Sequence, residues 1–371
     1  MNKRIIIFYI SEYSGHFHAA CAIESGLRET KKDLNIEKVN ALDYTNPILG
    51  KIINKAYLEI IKKKPELWGS IYDSPEVVKK TKKAREALHK YNMSKIRRLI
   101  EKHSPEAVFC TQAMPCGMVA DYKRSCGKDV KLIGVLTDHA PHSFWIYDEV
   151  DVYAVPSDGT RDALAEKGVP REKIVITGIP VDPKFCAIHD PSEIRAKYGL
   201  EKDLPTVLIM GGSQGLGEME LIVKSLLKDE SHDYQLIIVA GSNKRLYSRL
   251  KRLGQEENDK NMCVLSFDKN IEELMEVSQI IVSKAGGMTS AEAMVKHLPM
   301  LIVNPIPGHE RMNTNYLTSS GAAVEVKDLA RVPNKINELF DSKGALQRMR
   351  KKAEKLSRPE SALEIAKLAL R

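Results

Sequence analysis

No two of the six cysteines have the two-residue spacing of zinc and redox motifs; they are scattered at 21, 110, 116, 126, 186 and 263. In a chain of 371 residues such thiols read as reduced, mostly buried groups of a cytosolic protein. Long apolar runs are missing too. None approaches the ~20 residues that a membrane-spanning helix needs. The N-terminal run Ile5 to Ile10 is too short for a signal-peptide core and leads straight into a Gly/His loop. Aromatic residues make up only 6% of the chain. The basic stretches contain only Tyr57, Trp68, Tyr72 and Tyr91, dispersed rather than interleaved for base stacking, which argues against a nucleic-acid partner.

What is present in excess is positive charge, +8 overall, and it is uneven. Lys51 to Lys102 carries +9 and Lys343 to Arg371 carries +6, which leaves −7 for the remainder. Two basic segments on a mildly acidic protein suit an anionic partner. From 48 to 61 apolar residues recur at 48/49, 52/53, 56/57 and 60/61, with Lys51, Asn54, Lys55 and Glu59 between them and Lys62-Lys63-Lys64 following. This is a basic amphipathic helix pattern. It fits a membrane-surface helix, or equally a helix that packs its stripe on a core; the cluster Lys79 to Lys83 has the same two readings.

Short β-branched runs alternate with helical patterns. Strands are expected at Ile5–Ile10, Ala107–Cys110, Lys131–Leu136, Val152–Val155 and Ile174–Thr177, with a helix from His18 to Glu29. After a boundary between Gly178 and Pro191 come Thr206–Met210, Gln235–Ala240, Met262–Ser266, Ile280–Ser283 and Met300–Val303. Continuous apolar runs in βαβα order predict α/β architecture with parallel strands covered on both faces. The repeated order of strand, glycine-rich loop and helix predicts two doubly wound domains, with ligands outside the carboxyl ends of the strands.

Five motifs carry chemistry. Ser14-Gly15-His16 joins the first strand to a helix, where glycine admits a ligand and an imidazole can act as general base. Gly211-Gly212-Ser213-Gln214-Gly215-Leu216-Gly217 follows a strand and suits phosphate, although no Gly-Lys-Ser/Thr closes it as in a Walker loop. Ser283 to Glu292 again runs from a strand into paired glycines, Gly286 and Gly287, and a helix start. Thr289 or Ser290 is the expected cap, and Glu292 is either a ribose-diol acceptor or a capping-box carboxylate. Pro305 to Asn313 is expected to be a rigid loop that displays His309, Glu310, Arg311 and Asn313 to a hydroxyl-rich ligand. Thr137-Asp138-His139-Ala140-Pro141-His142 places a carboxylate at a strand end, with an orienting or acceptor role favoured over metal binding.

Together these residues resemble the GT-B glycosyltransferases of family 28, in the branch of monogalactosyldiacylglycerol synthases and processive diacylglycerol glucosyltransferases. The likeness extends over essentially the whole chain. It rests on Gly15-His16, Pro65 to Gly69 with Tyr72, Thr137-Asp138 with His142 and Trp145, and Thr177-Gly178-Ile179-Pro180. Gly286-Gly287-Met288-Thr289 with Glu292, and Pro307-Gly308 with Glu310 and Asn313, are its most specific parts. The loop Gly211 to Gly215 is also similar to that of the lipid II-forming N-acetylglucosaminyltransferase.

The resemblance implies two Rossmann-like domains facing a central cleft. Residues 1–180 would be an acceptor- and membrane-binding domain, 181–345 a UDP-sugar domain, and 346–371 a helical tail packing back on the first domain. It implies inverting transfer of glucose or galactose from a UDP-hexose to diacylglycerol, with neither cofactor nor metal. His16 would be the base with Asp138 nearby and Gly15 in the acceptor loop. Gly211, Gly212, Ser213, Gln214, Gly286, Gly287 and Thr289 would meet UDP, Glu292 the ribose, and His309, Glu310 and Asn313 the sugar. Such an enzyme is expected at the cytoplasmic face of the membrane, peripherally bound to anionic lipid. The alternatives are an N-acetylglucosaminyl transferase acting on a lipid-linked peptidoglycan precursor, a sugar-nucleotide epimerase, and a non-catalytic sugar-nucleotide binding protein.

Overall fold

A computed structural model describes residues 3–48, 50, 52, 59, 66, 75–127, 129–229, 233–256 and 261–370, without the side chains of 75, 78, 79 and 82–90. Most of the stripe expected from 48 to 61 lies outside these residues, as do Pro65, Leu67 to Gly69 and Tyr72. So do the side chains of Lys79, Lys82 and Lys83 in the basic cluster. The chain folds as two units. The first holds Met1–Pro183, Ile306–Met312 and Glu360–Arg371; the second holds Lys184–Pro305 and Asn313–Pro359.

The first unit runs β1 (Arg4–Tyr9), α1 (Gly15–Thr30), β2 (Asn35–Asn40), α2 (Ala41–Thr45), α3 (Pro75–His103), β3 (Ala107–Cys110), α4 (Ala113–Cys126), β4 (Lys131–Val135), β5 (Val152–Val155), α5 (Asp158–Glu166) and β6 (Ile174–Ile176). Its strands form one parallel sheet in the order β2-β1-β3-β4-β5-β6. Successive residues of β1 serve opposite faces: Ile6 and Phe8 join one buried cluster, Ile5, Ile7 and Tyr9 another. That two-sided burial is why the run reads as continuously apolar.

The second unit runs α6 (Pro191–Tyr198), β7 (Thr206–Met210), α7 (Met219–Leu227), β8 (Gln235–Val239), α8 (Lys244–Glu256), β9 (Met262–Leu265), α9 (Ile271–Glu276), β10 (Ile280–Ser283), α10 (Gly287–Val295), β11 (Met300–Val303), α11 (His309–Ser320), β12 (Ala323–Val326), α12 (Val332–Asp341) and α13 (Ala345–Leu356). The first turn of α11 groups with the first unit, and so does the last helix, α14 (Ser361–Leu370). The second sheet is also parallel, ordered β12-β11-β10-β7-β8-β9. β2 and β12 were not expected from the sequence. Both are outer strands of their sheets, and Asn35–Asn40 is only half-buried and polar.

Each sheet reverses its winding at one place. In the first the chain leaves β1 for β2 on one side and returns to β3 on the other; in the second it leaves β7 for β8 and returns to β10. Such switch points open a crevice at the strands' carboxyl ends. Phe8 pairs with Cys110 and Met210 with Ser283 at those ends. The segments that follow β1 and β3, and those that follow β7 and β10, therefore start side by side.

Candidate active site

The switch point of the first unit carries His16. β1 ends at Tyr9, and the turn beyond it places Ser11 at φ +60°, a left-handed position usually filled by glycine. Ser14 caps α1: its hydroxyl accepts from the Phe17 N–H at 3.4 Å and lies 2.5 Å from the Ile10 carbonyl and 2.7 Å from that of Ser11. The helix starts at Gly15, three residues before the sequence expectation, because this cap precedes the apolar stripe. His16 is thus its second residue.

Groups from β3 and β4 surround the imidazole. Thr137 Oγ1 lies 3.4 Å from His16 Nδ1. The Thr111 backbone and the Asp138 charge also act on the ring. Loss of water around the ring pushes its pKa below the ordinary 6.5; Asp138 and Thr111 oppose this shift, and His309 adds to it. A neutral imidazole at pH 7 can take a proton from a hydroxyl. His139 is also pushed down, to about 4, by burial, with its Nδ1 3.1 Å from the Ser157 hydroxyl. Among the described residues no His, Cys, Asp and Glu side chains group as metal ligands would.

The switch point of the second unit brings both glycine motifs together. Ser283 Oγ donates to the Met210 carbonyl at 2.8 Å and ties the two strand ends. The loop after β7 folds on itself, with the Leu216 N–H bonded to the Gly211 carbonyl at 2.9 Å and the Gly215 N–H to that of Gly212 at 3.0 Å. It also rests on the loop after β8, where the Ser242 N–H donates to the Ser213 carbonyl at 2.9 Å. Two of its glycines are needed for packing: a Cβ on Gly215 would lie 2.1 Å from the Ala240 carbonyl oxygen, and one on Gly211 2.5 Å from that of Leu216. Gly215 is also left-handed, at φ +55°, whereas Gly212 and Gly217, at φ +69° and +96°, serve the backbone without a close packing neighbour. Gln214 stands in the same loop, partly exposed like Ser213.

After β10, the cap of α10 is Gly286 rather than Thr289 or Ser290, and it provides no side-chain bond. Thr289 falls within the first turn because the helix begins directly at Gly287. The first N–H groups of α10 are therefore left to a ligand or water, at the helix end that favours anions. Glu292 is six residues past the cap, too far for a capping box, which uses the third position.

Residues 309 to 313 lie in the first turns of α11 rather than in an open loop. Glu310 Oε2 accepts from the Ile306 N–H at 2.7 Å, and Asn313 Nδ2 donates to the Ala285 carbonyl at 2.9 Å. Both side chains are almost completely buried. Glu310 closes the turn on which His309 stands, and Asn313 braces the chain beside Gly286. Sequence reasoning missed Thr111; its place one residue past an apolar strand was the available signal.

Two family models match the chain: monogalactosyldiacylglycerol (MGDG) synthase over residues 16–181, and the glycosyltransferase family 28 C-terminal domain over residues 206–365. A processive diacylglycerol beta-glucosyltransferase of Bacillus mycoides is 30% identical, over 97% of this chain and 92% of that protein. The chain belongs to glycosyltransferase family 28, in its diacylglycerol glycosyltransferase branch. A relative of the same name from Bacillus cytotoxicus is 29% identical over 100% of this chain and 94% of its own. MurG of Acinetobacter baumannii superposes with a TM-score of 0.60 at 14% identity, over 99% of each chain, and shares the GT-B fold. Within this glycosyltransferase, the MGDG synthase match takes in His16, Thr111 and Asp138, and the family 28 match takes in both glycine loops and residues 309 to 313.

Proposed function

We propose that this glycosyltransferase moves a hexose from a UDP-sugar to the free hydroxyl of diacylglycerol, with inversion at the anomeric carbon. The observation that carries the reading is the full-length likeness to processive diacylglycerol beta-glucosyltransferases. A neutral imidazole at one switch point and paired glycine loops at the other support it.

In this reading the first unit holds the acceptor and the second the donor. His16 takes the proton from the acceptor hydroxyl, whose oxygen bonds to the anomeric carbon as the bond from that carbon to UDP breaks. The bonding electrons leave with the diphosphate, whose charge meets the N–H groups of α10 and of the loop Gly211 to Gly217. Asp138 steadies the imidazolium formed on His16. Glu292 accepts from the ribose hydroxyls, and His309 contacts the sugar. Glu310 and Asn313 act through the backbone they brace.

The acceptor resides in a bilayer, so the enzyme works at a membrane surface. Ile48 and Ile52, one helical turn apart, are 74% and 59% exposed, and Lys51, Lys55 and Lys62 to Lys64 accompany them in sequence. No described helix is long and apolar enough to cross a membrane. Peripheral docking on the anionic cytoplasmic face fits this arrangement, each basic residue adding on the order of 1 kcal/mol. Binding to vesicles is expected to strengthen with anionic lipid and weaken with salt; binding indifferent to both contradicts docking.

Incubation with diacylglycerol vesicles and labelled UDP-glucose or UDP-galactose tests the reaction. A β-linked hexosyl diacylglycerol is the expected product. An α-linked product contradicts inversion from the α-configured donor, and label on another acceptor alone contradicts the acceptor assignment.

A further inference from the structure

We propose that Thr111 is a positioning residue for His16, holding its backbone through the side-chain hydroxyl. This rests on the reading of His16 as the acceptor's base.

Thr111 is the first residue beyond β3 and is completely buried. Its N–H donates to the Phe8 carbonyl of β1 at 3.0 Å, so its backbone is fixed to the strand that leads into the His16 turn. Its hydroxyl lies 3.2 Å from the same Phe8 carbonyl and 2.9 Å from the carbonyl of His16. A hydroxyl has one proton to give. Phe8 is already served by the Thr111 N–H, and the His16 contact is the shorter, so the proton goes to His16.

The His16 carbonyl belongs to a residue inside α1, where the helix's own ladder supplies a donor. The Thr111 bond is therefore not needed to satisfy that oxygen. What it adds is location: it ties the first turn of α1 across the switch point to β3. At the ring itself, Thr137 Oγ1 stands 3.4 Å from Nδ1. Thr111 thus fixes where His16 sits, and with it where the imidazole starts. Valine has the same shape and would fill this buried site, so the hydroxyl is what distinguishes threonine here. The charged groups acting on the ring are Asp138, beyond β4, and His309, at the start of α11. Thr111 carries no charge; its backbone opposes the burial shift, and a backbone effect is kept in every side-chain variant.

The test compares Thr111→Val and Thr111→Ser in the full chain, with diacylglycerol vesicles and whichever labelled UDP-hexose supports turnover. Thr111→Val is expected to lose on the order of 10²-fold in kcat, the cost of a misplaced catalytic group, with KM for the donor unchanged. Thr111→Ser keeps the hydroxyl and is expected to restore most of kcat. In Thr111→Val the acid limb of kcat/KM is expected to move toward the ordinary histidine value as the ring leaves its seat. If Thr111→Val does not fold, Thr111→Ala, which crowds nothing, is judged by the same criteria. Wild-type kcat and pH profile in the hydroxyl-less variant, while His16→Ala is inactive, would overturn the proposal. An active His16→Ala would instead overturn the base assignment on which it rests.

Discussion

Gly26 of α1 lies so close to Ala362 of α14 that a Cβ on it would be 2.5 Å from the Ala362 carbonyl oxygen. The C-terminal helix therefore docks, backbone to backbone, on the helix whose second residue is His16. Ile365, Ala366, Leu368 and Ala369 of α14 share a buried cluster with Ile5, Ile7 and Ile23. Part of the basic tail is thus structural, with its lysines on the outside of helices packed by their apolar faces. Gly26→Val is expected to destabilise the protein by about 1–3 kcal/mol through overpacking. Urea unfolding measures this, and limited proteolysis reports early release of the last helix. An unchanged midpoint and intact C-terminus would contradict the contact.

The glycines of the loop after β7 have different duties, and alanine separates them. Gly215→Ala drives a Cβ into the Ala240 carbonyl and is expected to weaken UDP binding more than tenfold, since the loop must leave its seat. Gly217 faces open space apart from Lys284 Cδ at 3.9 Å, so Gly217→Ala pays only the left-handed backbone cost of about 1–2 kcal/mol. Calorimetric titration with UDP compares the two. Equal losses would mean that both glycines serve the backbone alone.

His139 links stability to pH. Its folded pKa of about 4 lies below the 6.5 of the free side chain. Between those values the unfolded chain binds the proton and the native one does not. Stability is therefore full above pH 6.5 and falls as pH drops toward 4, by roughly 3 kcal/mol in all. His16, also lowered, adds in the same direction. His139→Gln is expected to lose about 2 kcal/mol less than wild type between pH 7 and pH 5. Urea unfolding at the two pH values measures the difference; identical losses would remove His139 from this account.

Central strands and glycine loops were legible because their signals are local. Continuous apolar runs such as Thr206–Met210 come from burial on both faces, and four glycines in seven residues are conspicuous in any chain. β2 escaped because this outer strand keeps polar residues along its length, and β12 because it is only four residues long and broken by Glu325. The cap of α10 was misassigned because Thr289 and Ser290 are good capping types, yet the helix begins directly at Gly287. Glu310 and Asn313 read as displayed side chains; only the fold reveals that each turns inward to a backbone partner. The position of Thr111 just past an apolar strand marks a strand end, but its partner is not legible, because the carbonyl it holds is 95 residues away in sequence.

Comparing wild type with His16→Ala, each with diacylglycerol vesicles and saturating labelled UDP-hexose, tests the account most directly. Wild type is expected to form labelled glycolipid, with kcat/KM sustained on acidification until pH falls below 6.5, because the His16 pKa lies under that value. His16→Ala is expected to bind UDP normally while kcat falls by on the order of 10²–10⁴-fold. No labelled lipid from wild type with either UDP-glucose or UDP-galactose, or equal turnover by the two proteins, would contradict it.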